Sequence, residues 1–195
     1  MQLDIRSKLY GDISPDRPLV VAALTREARH ISPDIPVLIT GVGYLATASA
    51  LQEVIREYGA PREIINVGTA GALTEGLEGF NRVSSVSMFD FDHQAIDSFL
   101  GYSTYPTIEL GGSGVKLASG GTFVAGGSLR DRLAQDFDLV DMEGYAVAYT
   151  ALRMSLPVAV YKYVSDMANE QAGADWNERM DDHARAIAKG LEGII

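Results

Sequence analysis

Short apolar runs and amphipathic segments alternate along most of the chain. Runs rich in Val, Ile, Leu and Ala are typical of strands buried on both faces. Such runs fall at residues 19–24 and 157–164, and further strand candidates lie at residues 36–40, 63–68, 80–88, 115–119 and 137–140. Helical spacing of apolar residues or helix-like composition marks residues 45–58, 127–134, 146–153 and 176–191. The alternation of the two patterns predicts an α/β fold around a central mixed, largely parallel sheet.

The length of the chain sets the number of domains that we expect. With 195 residues it can bury one sizeable core, so we expect a single domain over residues 1–195. Residues 1–18 form an atypical lead segment of mixed polar character, in which Asp and Pro residues indicate turns.

Two carboxylates at the end of one predicted strand are the first candidates for chemistry. Asp141 and Glu143 are two residues apart, so an extended backbone places them on one face. They lie where strand 137–140 gives way to a helix, and open α/β sheets place their ligand sites at such carboxyl ends. A glutamate that merely caps the helix would fit Glu143 equally well.

Two further acids follow predicted strands. Glu27 comes after strand 19–24, where the sequence alone favours a solvent-facing glutamate in a helix capped by Thr25. Asp166 follows strand 157–164 with Ser165 beside it, which suits general acid catalysis, and a turn-capping aspartate is the alternative. Phe123 stands beside flexible glycines, which suits either stacking on a flat heterocycle or a place in the core.

The glycine-rich turn at residues 41–46 formally matches a dinucleotide-binding fingerprint. That fingerprint also needs an acid at the end of the next strand, whereas the next strand ends in Asn66, Val67 and Gly68. We therefore disfavour a nicotinamide cofactor and expect no cofactor at all. Gly41 and Gly43 suit a close approach of the backbone to some other ligand, or a tight turn.

Composition excludes several classes of partner. The formal net charge of −10 argues against nucleic acid as a partner. The chain has no cysteine, and its three histidines lack the spacing of metal ligands, so we expect no metal site. Neither a signal peptide nor a membrane-spanning apolar run is visible, so we expect a cytoplasmic protein without membrane contact.

Six motifs at predicted strand ends occur in the order found in the nucleoside phosphorylase and nucleosidase superfamily. They lie at residues 22–27, 40–43, 66–71, 119–123, 141–144 and 164–166. The chain resembles most the 5′-methylthioadenosine/S-adenosylhomocysteine nucleosidase branch, over roughly residues 19–195. This resemblance implies a single three-layer α/β/α domain of the phosphorylase type and a small purine nucleoside as the partner.

The resemblance also implies a reaction, the hydrolysis of the N-glycosidic bond of a methylthioadenosine-like nucleoside. Asp166 matches the family's general acid, which protonates N7 of adenine, and Ser165 matches the residue that positions it. Glu143 matches the glutamate that grips the ribose hydroxyls and favours the cationic transition state. Glu27 matches the glutamate that activates the attacking water.

Other matched residues surround the substrate in the family. The family's ribose cradle is matched by Thr40, Gly41, Gly43 and Met142. Phe123 matches the ring that stacks on the base, and Val124 matches the residue whose backbone contacts the edge of the base.

Phosphorolysis is the main alternative. Glu27 and Asn66 stand where phosphorylases of this superfamily place arginines that hold phosphate, so the resemblance favours water as the nucleophile. Arg26 and Lys162 are left as candidate anion contacts, which keeps a phosphate-dependent phosphorylase as the runner-up. A non-catalytic nucleoside-binding protein is a further alternative.

The chain departs from the family pattern at several places. Gly121 replaces a usual aspartate, and Gly144 replaces a usual alanine. The segment 93–119 is shorter than usual, and we expect it to lack a helix. Because that segment supplies part of the family's dimer contact, a homodimer is an expectation that rests on the resemblance alone.

Overall fold

The computed structural model describes residues 7–195, apart from the side chains of Gln94, Asp175 and Asn177. One sheet and several helices make up this part of the chain. The strands are β1 Lys8–Tyr10, β2 Pro18–Ala22, β3 Val37–Ile39, β4 Glu63–Ala72, β5 Phe80–Met88, β6 Ile108–Glu109, β7 Val115–Ser119, β8 Leu139–Asp141 and β9 Val158–Asp166. The helices are α1 Tyr44–Tyr58, α2 His93–Leu100, α3 Gly127–Leu133, α4 Gly144–Arg153, α5 Ala172–Glu178 and α6 Met180–Glu192. The predicted α/β class is confirmed.

The sheet closes on itself. Its strands pair in the cycle β4–β8–β7–β5–β9 and back to β4, while β2, β3 and β1 extend from β4 and β6 extends from β5. Strand β4 is parallel to β2 and β9 but antiparallel to β8. The predicted mixed sheet is therefore confirmed, but it forms a small barrel-like body rather than the middle layer of a strict three-layer sandwich.

The unequal lengths of neighbouring strands explain the closure. Strand β4 has ten residues, whereas β2 has five and pairs only with the first half of β4, up to Asn66. The second half of that edge is filled by β8, which pairs with Gly71 and Ala72. Strand β9 follows the opposite edge of β4. A pattern of separate apolar runs predicts the strands but carries no information on this pairing.

Residues 25–30, predicted to begin a helix after Thr25, form turns instead. Their backbone bonds are isolated, as in the bond from the Glu27 N–H to the Leu24 carbonyl at 3.0 Å. Pro33 and Pro36 follow within a few residues, and proline disrupts a continuing helix. The turns bring Glu27 back over the end of β2.

The segment 93–119 contains the helix α2, so the expectation that it lacks a helix was wrong. Asp92 caps this helix by accepting a hydrogen bond from the Ala95 N–H at 3.2 Å, and Gly101 ends it in the left-handed conformation. An aspartate cap and a terminal glycine are ordinary helix signals. They enclose two turns of helix in which Ile96, Phe99 and Leu100 recur at helical spacing.

The carboxyl-terminal apolar stripe falls on two helices rather than one. Met180, Ala184, Ile187 and Leu191 are buried in α6, where the last two join a core cluster with β2 and β4. Trp176 belongs to the separate helix α5. The helical pattern predicted over residues 176–191 is therefore divided between α5 and α6, and Trp176 has a different environment, described below.

Part of the predicted lead segment, residues 1–6, lies outside the described residues. Its remainder includes β1, which pairs antiparallel with β3 and so widens the sheet at one edge. Over residues 7–195 we find no helix with the length and apolar character needed to cross a membrane.

Candidate active site

The carboxyl ends of several strands meet at a cavity of about 220 Å³. The turn after β2 supplies Glu27, β4 supplies Thr69, β8 supplies Asp141 and β9 supplies Asp166. Seven of the residues predicted from separate motifs also line this cavity, namely Glu27, Phe123, Val124, Met142, Glu143, Ser165 and Asp166. The fold thus brings together acids that are up to 139 positions apart in the chain (Glu27 to Asp166).

Thr40, Gly41 and Gly43, predicted as part of a ribose cradle, are not among the cavity-lining residues. Thr40 is buried, and its hydroxyl lies 2.9 Å from the Gly41 carbonyl and 3.1 Å from the Thr47 hydroxyl. Gly43 precedes α1 with a φ of 91°, a conformation that favours glycine, and its N–H donates to Glu143 Oε1 at 2.7 Å. The turn therefore acts on the cavity through Glu143.

An ion pair between Asp141 and Lys162 lies at the bottom of the site. Lys162 Nζ is 2.8 Å from Asp141 Oδ2, and both side chains are almost completely buried. Asp141 Oδ2 also accepts the Gly144 N–H at 2.8 Å. Burial lowers the pKa of Lys162, but Asp141 and then Glu143 outweigh this effect, so its pKa stands above the ordinary value and the lysine stays charged.

Glu143 occupies the position just before α4 but does not cap that helix with its side chain. Its carboxylate instead points to the turn before α1, where it accepts the Gly43 N–H. Burial and then the neighbouring Asp141 raise the pKa of Glu143 to about 7, against the opposing effects of Lys162 and of the Gly43 N–H. The charge of Glu143 therefore changes close to neutral pH.

Glu27 is buried, with 4% of its surface exposed, so the solvent-facing position favoured by the sequence alone was wrong. Its Oε1 accepts the Thr69 N–H at 3.0 Å and the Thr69 hydroxyl at 2.9 Å. Its Oε2 accepts the Leu24 N–H at 3.1 Å. These donors fix the carboxylate at the cavity wall and offset part of the free-energy cost of burying its charge.

Asp166 is held from both sides at the end of β9. Its Oδ2 accepts the Ser165 hydroxyl at 2.7 Å, and its Oδ1 accepts the Ala168 N–H at 2.8 Å. The second bond is the turn-capping contact considered from the sequence, so Asp166 both closes the turn and faces the cavity.

Phe123 lines the cavity with 54% of its surface exposed, which excludes a core position. In the same loop the Gly121 N–H donates to Asp90 Oδ2 at 2.6 Å. A Cβ atom at Gly121 would lie 2.6 Å from Cε1 of Tyr44, so the Tyr44 ring occupies the space that an aspartate side chain would need. Asp90 instead brings a carboxylate to this loop from the segment after β5.

Sequence reasoning missed two side chains of the cavity. Trp176 falls in the helical pattern predicted over residues 176–191, but its indole N–H donates to the Thr69 hydroxyl at 2.9 Å in the cavity. Thr69 falls in the motif at residues 66–71 without being singled out, whereas its hydroxyl donates to Glu27 at 2.9 Å. Thr69 lies within β4 and Trp176 within α5, and the sequence carries no signal that pairs residues 107 positions apart.

Comparisons with known proteins find similar sequences and a similar fold. The sequence model of the phosphorylase superfamily matches residues 113–195, the part that carries Phe123, Glu143 and Asp166. The 5′-methylthioadenosine/S-adenosylhomocysteine nucleosidase of Staphylococcus epidermidis is 27% identical over 180 residues, which span 80% of this chain and 78% of that protein. The aminodeoxyfutalosine nucleosidase of Helicobacter pylori is 24% identical over 211 residues, which span 96% and 91%.

A solved structure shows the same fold. The crystal structure of a mutant Helicobacter pylori methylthioadenosine nucleosidase, with 5′-methylthioadenosine in its active site, superposes with a TM-score of 0.79 at 21% identity. The match covers 91% of this chain and 97% of that one.

In sequence and in fold the chain is similar to proteins of the nucleoside phosphorylase and nucleosidase superfamily. These include 5′-methylthioadenosine/S-adenosylhomocysteine nucleosidases, as the motifs predicted.

The ion pair predicts a large effect of removing its cation. Lys162→Met leaves Asp141 buried without its counter-charge, and we expect this to lower the free energy of unfolding by about 3–5 kcal/mol. Lys116→Met, at an exposed lysine, is the matched control and should change it by less than about 0.5 kcal/mol. Urea unfolding at pH 7 measures both. Equal effects of the two substitutions would contradict the importance of the pair.

The raised pKa of Glu143 predicts a pH-dependent stability. Because its pKa in the folded chain is about 7 against an ordinary value of 4.5, folding favours the protonated form. This contribution to stability is complete below about pH 4.5 and is lost as the pH rises through about 7. Relative to Glu143→Gln, the natural chain should lose about 3 kcal/mol between these limits. A difference in unfolding free energy that stays constant from pH 5 to pH 8 would refute this.

Proposed function

We propose that the chain is a nucleosidase that hydrolyses the N-glycosidic bond of an adenine nucleoside of the methylthioadenosine type. The observation that carries this proposal is the convergence of Glu27, Glu143 and Asp166 on one cavity, while the nearby cation Lys162 is already paired with Asp141. Cleavage of such a bond needs three groups. A general acid protonates the leaving adenine, a negative charge stabilises the sugar, and a general base takes a proton from the attacking water. The three carboxylates supply one group for each task.

Departure of the base is the step assigned to Asp166. Adenine leaves readily once its N7 is protonated, and Asp166 donates that proton as the general acid. The Ser165 hydroxyl and the Ala168 N–H then stabilise the carboxylate that remains. Phe123, exposed at the cavity, stacks on the flat base, and the Val124 backbone binds the edge of the base.

Stabilising the positive charge that develops on the sugar is the task assigned to Glu143. As the base leaves, the ribose gains positive charge, and an ionised carboxylate fixed nearby stabilises it. Glu143 is oriented by the Gly43 N–H. Its neighbour Met142 lines the same cavity and contacts the ribose. Thr40 and Gly41 support the turn that holds Gly43, so they act on the ribose indirectly.

Water attack is the task assigned to Glu27. Its carboxylate lies at the cavity wall, where it accepts a proton from the water that attacks the sugar. Phosphate is a poor alternative nucleophile here because several carboxylates line the cavity and would repel it. Asn66 also offers it no contact, since its side-chain amide is buried and donates to the Val21 carbonyl at 3.0 Å.

The proposal is tested by base release in phosphate-free buffer. The natural chain should release adenine from 5′-methylthioadenosine or S-adenosylhomocysteine, the substrates in the names of the relatives. Asp166→Asn, which keeps the shape but cannot donate the same proton, should lower kcat by at least about a hundredfold. Asp136→Asn, at an exposed aspartate, is the control and should leave kcat unchanged. Unchanged base release by Asp166→Asn would overturn the role given to this residue.

A further inference from the structure

The indole of Trp176 makes a hydrogen bond that links helix α5 to the acids of the cavity. Its Nε1 lies 2.9 Å from the hydroxyl oxygen of Thr69, which belongs to β4. An indole N–H can only donate a hydrogen bond, whereas a hydroxyl both donates and accepts. The direction of this bond is therefore fixed, and Thr69 is the acceptor.

This direction determines where the hydroxyl hydrogen of Thr69 points. One lone pair of the oxygen is used by the indole, and the single hydrogen has Glu27 Oε1 at 2.9 Å as its partner. The indole thus orders a chain of donors that runs from Trp176 through Thr69 to Glu27. Hydrogen bonds in such a chain strengthen one another in a buried site.

The donors around Glu27 distinguish its two oxygens. Oε1 accepts both the N–H and the hydroxyl of Thr69, while Oε2 accepts the N–H of Leu24. A carboxylate oxygen has two lone-pair sites. Both sites of Oε1 are therefore used by Thr69, and one site of Oε2 is left to receive a proton from water.

We propose that Trp176 is a positioning residue for hydrolysis, acting through the Thr69 hydroxyl to hold Glu27 with Oε2 available to the attacking water. This inference rests on the proposed nucleosidase function. It gives Trp176 a task beyond filling the cavity wall, since the task depends on its N–H rather than on its ring.

A cation fixes the plane of the indole. The guanidinium carbon of Arg26 lies 4.8 Å from the centre of the Trp176 ring, which is within the range of a cation–π contact. Arg26 is adjacent in the chain to Glu27. These two neighbouring residues therefore both act on the indole: Arg26 lies over its face, and Glu27 is linked through Thr69 to its N–H. Helix α5 is thereby linked, through Thr69, to the residue that receives the proton.

A double-mutant cycle separates the N–H from the ring. Trp176→Phe removes the N–H and keeps an aromatic ring, and Thr69→Val removes the hydroxyl through which the N–H acts. In the natural background we expect Trp176→Phe to lower kcat for base release about fivefold, the value of one hydrogen bond. In the T69V background it should lower kcat less than about twofold, because only the change in ring size is left.

Two further variants complete the cycle. Thr69→Ser keeps a hydroxyl, so the roughly fivefold effect of Trp176→Phe on kcat should return in that background. Thr69→Ala replaces Thr69→Val if the latter fails to fold, as judged by thermal unfolding of each variant. KM is measured throughout, since loss of a ring contact with the substrate would change KM equally in all backgrounds.

The outcomes are distinct. A smaller effect of Trp176→Phe on kcat when the hydroxyl is absent supports the inference. An equal loss of kcat in all backgrounds, or a change in KM alone, overturns it and makes Trp176 a packing or substrate-contact residue. A natural chain that releases no base from any nucleoside overturns the proposed function itself, and this inference with it.

Discussion

The buried ion pair between Asp141 and Lys162 is the constraint on which the site depends. The two residues come from strands that pair with opposite edges of β4, and their side chains meet at 2.8 Å. A Cβ atom at Gly68 would lie 3.6 Å from Lys162 Nζ and 3.3 Å from Glu27 Oε1, so Gly68 borders the lysine and a second carboxylate. Burying Asp141 or Lys162 alone would cost several kcal/mol, and their pairing offsets this cost.

The same pair shapes its surroundings. A Cβ atom at Gly144 would lie 2.6 Å from Cδ2 of Leu117 and 3.1 Å from Asp141 Oδ2, so the glycine found where the superfamily usually has alanine fits the position of this carboxylate. The positive charge of Lys162 also counteracts the effect of burial on Glu143, whose pKa would otherwise stand higher still. One cation thus allows several carboxylates to share a small cavity.

Much of this arrangement could be predicted from the sequence, because the motifs lie at strand ends. Apolar runs located the strands, and the residues after them gave Glu27, Glu143 and Asp166. Pairing between distant strands could not be predicted, since β8 joins β4 only where the shorter β2 has ended. For the same reason Glu27 was first placed in solvent, although the turns after β2 fold it under the Thr69 N–H.

Helical spacing misled the prediction at one residue of the cavity. Trp176 continues the apolar stripe of α6 in sequence, but α5 ends at Glu178 before α6 begins at Met180, and the indole turns toward the cavity. The short helix α2 was missed although Asp92 and Gly101 cap it and Ile96, Phe99 and Leu100 recur at helical spacing. The other predictions failed where a contact between distant segments outweighed the local pattern.

The central claim is that water attacks the sugar, and the fate of the oxygen atom tests it most directly. Base release from 5′-methylthioadenosine would be run in water enriched in ¹⁸O with phosphate present, and the sugar product analysed by mass spectrometry at once, before its anomeric oxygen exchanges with solvent. The account predicts a free sugar with one ¹⁸O atom at the anomeric position. A sugar phosphate without the label would contradict it and show that phosphate, despite the carboxylates around it, is the nucleophile.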